Sequence, residues 1–216
     1  MVMEFQTQNK VYNQVMPNKV SSPILPVDGS IYDLKLEGSN GEQNILSDLQ
    51  GKVTLFINVT GHCGNAPQFG IIESLYKKYK PLGFEVVAIP TNDFCGPKVT
   101  YGEYEKGCRN GKMSEDYARG EWGATYRFSE LVHSGYSMNE IAEGSVAHPI
   151  FEKLNALNEP LQGNFEKFLV GKDGRSVLRW ANGALLDFAY ESGDYVLQPQ
   201  EGLSQISEAI EELLSE

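Results

Sequence analysis

A chain of 216 residues is long enough for one generous domain with a large core and short for two. Hydrophobic residues make up 41%, ordinary for a folded soluble protein, so disorder is not the default. With 29 acidic against 18 basic residues the formal net charge is -11, which repels nucleic acid unless a local basic patch exists; the densest cluster, Lys77-Lys78-Tyr79-Lys80, reads as one solvated helix face.

Residues 1–29 are polar, carry Pro17, Pro23, Pro26 and Gly29, and read as an N-terminal arm leading into a domain over 30–216. The first residues lack a basic start and a long apolar run, so no secretory leader is expected. No stretch approaches the ~20 apolar residues of a membrane span, so no membrane partner is expected. Ser30 to Leu36 alternates apolar and polar residues, which predicts a half-exposed strand. Asn40-Gly41 predicts a hairpin turn after it. Val53 to Val59 is almost continuously apolar and predicts a central strand covered on both faces. Phe69, Ile72, Leu75, Tyr76 and Tyr79 fall at helical spacing, and Pro81-Leu82-Gly83 ends that helix. Phe84 to Ile89 is a second buried strand, closed by Pro90. Strand, helix, strand predicts a parallel pair with a right-handed crossover. Residues 97–147, rich in Gly, Tyr and charge, are expected to hold short helices and long, functional loops. His148 to Leu157 predicts a helix with Pro149 in its first turn. Phe165–Val170 and Ser176–Trp180 flank Asp173-Gly174, a hairpin signal. Leu203, Ile206, Ile210, Leu213 and Leu214 give a C-terminal helix one apolar face. The sum is an α/β layer fold of thioredoxin-like type: a central mixed β-sheet flanked by helices, with enlarged loops.

Chemistry concentrates at Cys63, between the end of a buried strand and the start of a helix. Ligands collect beyond the carboxyl ends of parallel strands, and a helix N-terminus favours thiolate over thiol. Gly61 and Gly64 clear space for a small substrate, and His62 brings a source of positive charge. The competing reading makes Cys63 a small buried hydrophobe. Cys108, in the middle region, is placed to resolve a sulfenic acid into a disulfide, and Cys95, just after the second strand, is its rival. Three cysteines do not make a secreted disulfide framework, so a reducing cytoplasm is the expected compartment. Zinc is not expected from these cysteines with His62, His133 and His148, because no paired ligand spacing such as CxxC exists. No metal or other cofactor is expected.

Several segments then resemble the glutathione peroxidase family. Gly51 through Gly64, with Val53-Thr-Leu-Phe-Ile-Asn-Val-Thr-Gly-His-Cys63 at its heart, is similar to that family's signature around its reactive cysteine or selenocysteine. Pro67-Gln68-Phe69, Leu75–Tyr79, Gly83–Val86, Pro90–Phe94, His148–Phe151 and Asn164–Val170 resemble segments further along. The resemblance runs from about Ile31 to Trp180. It implies a sulfur at Cys63 that reduces a hydroperoxide through a sulfenic acid, with thioredoxin or glutathione as reductant and Cys108 as resolving residue. It also implies a site of Gln, Trp and Asn around the sulfur. Here Asp93 stands at the Gln position, Gly163 at the Trp position, and only Asn164 is kept. An ionised Asp93 would raise the thiol's pKa. Gly163 would leave a hole or a larger pocket, with Trp122 and Trp180 as the indoles available to fold in from elsewhere.

The leading expectation is a thiol-dependent, peroxidase-like antioxidant enzyme with a redox-active cysteine. Cys63, Asn164, Asp93 and Cys108 are the catalytic candidates, and His62, Gly64 and Gly163 line the substrate. Two alternatives stand beside it. In one, Cys63 and Asp93 act on a specialised small metabolite in a pocket widened by Gly163. In the other, the chain is a redox-sensing module without catalysis. The oligomeric state is not legible.

Overall fold

The computed structural model describes residues 27–61, 63–94, 109–135, 146–155, 161–191, 194–199 and 201–216. Its elements are β1 (Val53–Val59), α1 (Gln68–Tyr79), β2 (Phe84–Pro90), α2 (Gly111–Trp122), β3 (Arg127–Phe128), α3 (Pro149–Asn155), β4 (Lys167–Val170), β5 (Val177–Trp180), β6 (Leu186–Glu191), β7 (Asp194–Pro199) and α4 (Gly202–Ser215). Five strands form one sheet in the order β3-β2-β1-β4-β5. β1 pairs in parallel with β2 and antiparallel with β4, and β2 pairs in parallel with β3. β4 and β5 close a hairpin over the Asp173-Gly174 turn. The βαβ unit and this hairpin stand where the sequence pattern puts them.

β1 shows why its sequence is a central strand: every residue is buried. Alternate side chains serve opposite layers, as the pleat requires. Val53, Leu55, Ile57 and Val59 join one core, with Phe69, Ile72, Leu75 and Tyr76 of α1 and Ile206, Ile210 and Leu213 of α4. Phe56 joins the other, with Ile31, Leu36 and Leu46 and with Ile150, Phe151 and Leu154 of α3. Each fully buried aliphatic or aromatic side chain contributes roughly 1.5–3 kcal/mol of transfer energy. The helices are therefore held by these faces rather than by propensity.

Two expectations need correction. Ser30–Leu36 is not a strand: Ile31–Asp33 forms a 3-10 turn with Ser30 capping it through the Tyr32 N–H at 3.2 Å. The adjacent residues Ile31 and Tyr32 are both buried, which a strand with one covered face cannot achieve. The Tyr32 hydroxyl donates into the sheet beneath, 2.8 Å from the Lys52 carbonyl. The Asn40-Gly41 turn exists, closed by Gly38 N–H to Glu42 O at 2.8 Å, but it joins no pair of strands. The short helix expected within 97–147 is α2, and three strands, β3, β6 and β7, went unread. α2 begins at Asn110, whose side chain accepts the Met113 N–H at 2.9 Å. Its first residue, Gly111, packs so close to Ser129 that a Cβ would sit 2.1 Å from that carbonyl oxygen. β6 and β7 form a separate antiparallel hairpin after β5.

Candidate active site

β1 and β2 run in parallel, so their carboxyl ends open at one edge of the sheet. Cys63 lies in the turn between β1 and α1, half-buried, as a free thiol. Tight turns carry the chain from it into the helix: its carbonyl accepts the Ala66 N–H at 3.0 Å, and Asn65 O accepts Gln68 N–H at 3.0 Å. The sulfur itself accepts the Asn65 N–H at 3.4 Å. Gly64 is exposed beside it. His62, Cys95 and Cys108 lie outside the described residues.

Asn164 reaches the sulfur because β1 holds its loop. Asn58, a polar residue in an otherwise apolar stretch and fully buried, grips residues 163–166 at three points. Its Nδ2 donates to Gly163 O at 2.9 Å, its Oδ1 accepts the Glu166 N–H at 2.9 Å, and its carbonyl accepts the Phe165 N–H at 2.7 Å. Phe165 adopts φ 69 between these anchors. A left-handed conformation at a bulky residue costs of order 1–3 kcal/mol, so the surroundings must impose it. The Phe165 ring packs edge-on against Phe69 at 4.9 Å, and the buried Glu166 takes Arg179 Nε at 2.8 Å. With the loop fixed, Asn164 stands near enough to the Cys63 sulfur to favour its ionised form. Its Oδ1 is buried and has no partner among the described residues.

The other wall comes from β4, β5 and the turn after β5. Lys167 pairs opposite Ile57 on one side and Trp180 on the other, so the three side chains share a face. That face carries the core against which Cys63 packs. Lys167 is fully buried, and its Nζ donates to Asn182 O at 2.6 Å and to Ala181 O at 3.4 Å. Gln68, also fully buried, donates Nε2 to the same Asn182 carbonyl at 2.8 Å and to Asn65 Oδ1 at 3.1 Å. Gln68 Oε1 and the indole N–H of Trp180 are buried without partners among the described residues.

Two readings of the site change. A Cβ on Gly163 would stand 2.7 Å from Asn182 Nδ2, so the space beside this glycine is filled by Asn182 and is not a widened pocket. Asp93 is buried, as befits a site residue, but faces elsewhere. It shares a hydrogen bond with His133 Nδ1 at 3.0 Å and accepts from the backbone N–H (2.5 Å) and hydroxyl of Ser134. These bonds hold the chain after β3 against the end of β2. Among the described residues, Asp93 has no bond to Cys63.

Ionisation of the sulfur follows from these neighbours. Burial pushes the Cys63 thiol above its ordinary value. The Asn65 N–H, the Asn164 amide and the positive field of Lys167 pull it down, and burial prevails. Asp93 is not among the groups that set it. Lys167 is shifted the other way: burial holds its amine well below the usual lysine range, against the pull of Glu166 and Cys63.

A glutathione peroxidase family model matches residues 31–155, which span both central strands, α1 and Cys63. The chain belongs to the glutathione peroxidase family. Similar proteins include a glutathione peroxidase of Lactococcus lactis subsp. cremoris, 31% identical over 70% of this chain and 89% of that one. The glutathione peroxidase homolog BsaA of Staphylococcus epidermidis is 30% identical over 86% of this chain and 99% of its own. Glutathione peroxidase-like peroxiredoxin 2 of Saccharomyces cerevisiae is 31% identical over 71% and 88%. Among solved structures, T. cruzi GPX1 superposes at a TM-score of 0.57 with 23% identity, over 86% of this chain and 97% of that one. The fold is accordingly the α/β thioredoxin-like arrangement expected from the element order. As a member of the glutathione peroxidase family, the chain is a thiol-dependent, peroxidase-like oxidoreductase. No helix of the described residues is long and apolar enough to cross a membrane.

Proposed function

We propose that Cys63 is the peroxidatic sulfur and that its substrate is a hydroperoxide. The sulfur attacks the terminal peroxide oxygen as thiolate, a Cys63 S–O bond forms as the O–O bond breaks, and an alcohol or water leaves. Asn164 holds the sulfur through its amide, while its unpaired Oδ1 accepts the hydroperoxide O–H. A second thiol, Cys108 or Cys95, then condenses with the sulfenic acid, and a cytoplasmic reductant, thioredoxin or glutathione, reopens the disulfide. Asp93 serves as an anchor for His133 and Ser134, outside the chemical step. The observation that carries this reading is the half-buried free thiol bonded by the Asn65 N–H, beside buried polar atoms left without partners, Asn164 Oδ1 among them. Such atoms are rare unless a ligand or water meets them. Stopped-flow oxidation by hydroperoxide, with thioredoxin or glutathione turnover, tests it on wild type and Cys63→Ser. Loss of both phases in the variant is expected. Equal peroxide consumption by the two proteins removes the assignment.

A further inference from the structure

Helix α1 starts without the usual polar cap. Its N-cap is Pro67, whose side chain offers no hydrogen bond, so the turn between Cys63 and the helix depends on other contacts. Gln68, the first residue of α1, supplies them. It is fully buried, although glutamine is mostly a surface residue. It holds Asn65 at two points: its backbone N–H donates to Asn65 O at 3.0 Å, and its Nε2 donates to Asn65 Oδ1 at 3.1 Å. The same Nε2 donates to Asn182 O at 2.8 Å and to Leu186 O at 3.2 Å, in the turn after β5 and at the start of β6. Asn65 in turn places its N–H 3.4 Å from Cys63 Sγ. One side chain thus ties the sulfur's hydrogen-bond donor to backbone 114 and 118 positions further along the chain.

We propose that Gln68 is a positioning residue for the chemistry of Cys63: by fixing both carbonyl oxygens of Asn65 it keeps the Asn65 N–H on the sulfur, where that N–H stabilises the thiolate that attacks the peroxide. This rests on the peroxidase reading of the same site. The grip is directional. With its backbone and side-chain oxygens both held, Asn65 keeps one conformation, and its N–H stays turned towards Cys63. Gln68 takes up no proton and touches no reacting atom; it acts through Asn65.

Two further observations agree. The three acceptors set the orientation of the Gln68 amide, since the reverse placement would bring its Oε1 against three oxygens. In the orientation adopted, Oε1 is buried without a partner among the described residues. A buried acceptor left unmet is costly, and an apolar side chain would fill this space without that cost. What the amide adds is the hold on Asn65. Burial pushes the Cys63 thiol up, and the Asn65 N–H is the strongest of the groups that oppose it.

The test is the pH profile of Cys63 alkylation by iodoacetamide in a Cys95→Ser, Cys108→Ser background. Gln68→Met keeps the length of the side chain and removes its donors. It is expected to raise the alkylation midpoint by about one pH unit and to slow oxidation by hydroperoxide at neutral pH about tenfold, the low end of what a hydrogen bond to a charged group contributes. A folded Gln68→Met protein with an unchanged midpoint overturns the proposal, because a residue that only supports the fold would leave the ionisation of the thiol alone. Asn65→Ala keeps the N–H and removes the side-chain oxygen that Gln68 holds. It is expected to move the midpoint in the same direction, and the double variant is expected to move it no further than Gln68→Met does. Two shifts that simply add overturn the linkage. If Gln68→Met does not fold, Asn65→Ala, a change at a half-buried turn residue, decides by itself, and an unchanged midpoint there overturns the proposal. Alkylation needs no peroxide, so a parent protein that consumes none removes the peroxidase reading while the midpoints still decide the role of Gln68.

Discussion

Asn58→Ala is the sharpest perturbation of how the fold builds the site. The side chain makes two buried hydrogen bonds, to Gly163 O and from Glu166 N–H, both at 2.9 Å. Alanine leaves one carbonyl and one N–H buried and unpaired. Each such orphan costs about 1–3 kcal/mol, so about 2–6 kcal/mol should be lost. Against a typical domain stability of roughly 5–15 kcal/mol this is large but survivable. The same two bonds hold the loop that carries Asn164 and the left-handed Phe165. Release of the loop lets Asn164 drift from the sulfur, and a misplacement of ~1 Å in catalytic geometry costs about 100-fold. Urea unfolding should show the loss of stability with an unchanged m-value, and stopped-flow oxidation of the folded fraction should slow at least tenfold. A stability change under about 0.5 kcal/mol together with a wild-type rate would refute the clamp.

Three further outcomes are expected. Lys167→Met should stabilise the fold at neutral pH: the folded amine sits below the unfolded value of 10.5, so unfolding takes up a proton there and wild-type stability rises as pH climbs towards that value. Denaturation followed as pH rises towards 10.5 should give a flatter curve for the variant, and a steeper one contradicts the sign. Gly163→Trp should cost about 1–3 kcal/mol by overpacking against Asn182 Nδ2, with Asn182→Gly in the same chain recovering most of it; a thermal scan in which the second change adds further loss speaks against the contact. Asp93→Asn should leave the midpoint of Cys63 alkylation unchanged, because Asp93 bonds His133 and Ser134; a fall of about one pH unit would show that its charge does reach the sulfur.

Most of the fold was legible because its strands and helices announce themselves by period. Val53–Val59 and Phe84–Pro90 are buried on both faces and read as continuous apolar runs, and α1 and α4 keep one apolar stripe each. Ile31–Asp33 misled because alternation counts residues and not bonds: the Tyr32 hydroxyl anchor at Lys52 O is a long-range contact that no local pattern encodes. α2 has a mean composition too polar to stand out, and its signal was the Asn110 cap. At the site, Cys63 and Asn164 were singled out from their segments, and the structure places them near each other. Lys167 and Asn58 carried a readable signal that went unused, each being a polar residue inside an apolar strand, where burial demands a partner. Asn182 could not be read, because its meeting with Gly163 and Lys167 depends on how the turn after β5 folds back. For Asp93, a place in the chain just beyond β2 says nothing about which way the carboxylate turns, and it bonds His133 and Ser134.

One trapping experiment tests the role of Cys63 most directly. The reduced protein is mixed with one equivalent of hydroperoxide in the presence of dimedone, and the digested chain is mapped by mass spectrometry. A dimedone adduct on Cys63, in proportion to the peroxide consumed, is the expected result. Peroxide consumed with Cys63 unmodified, or an adduct on Cys95 or Cys108 that persists in Cys63→Ser, would contradict it.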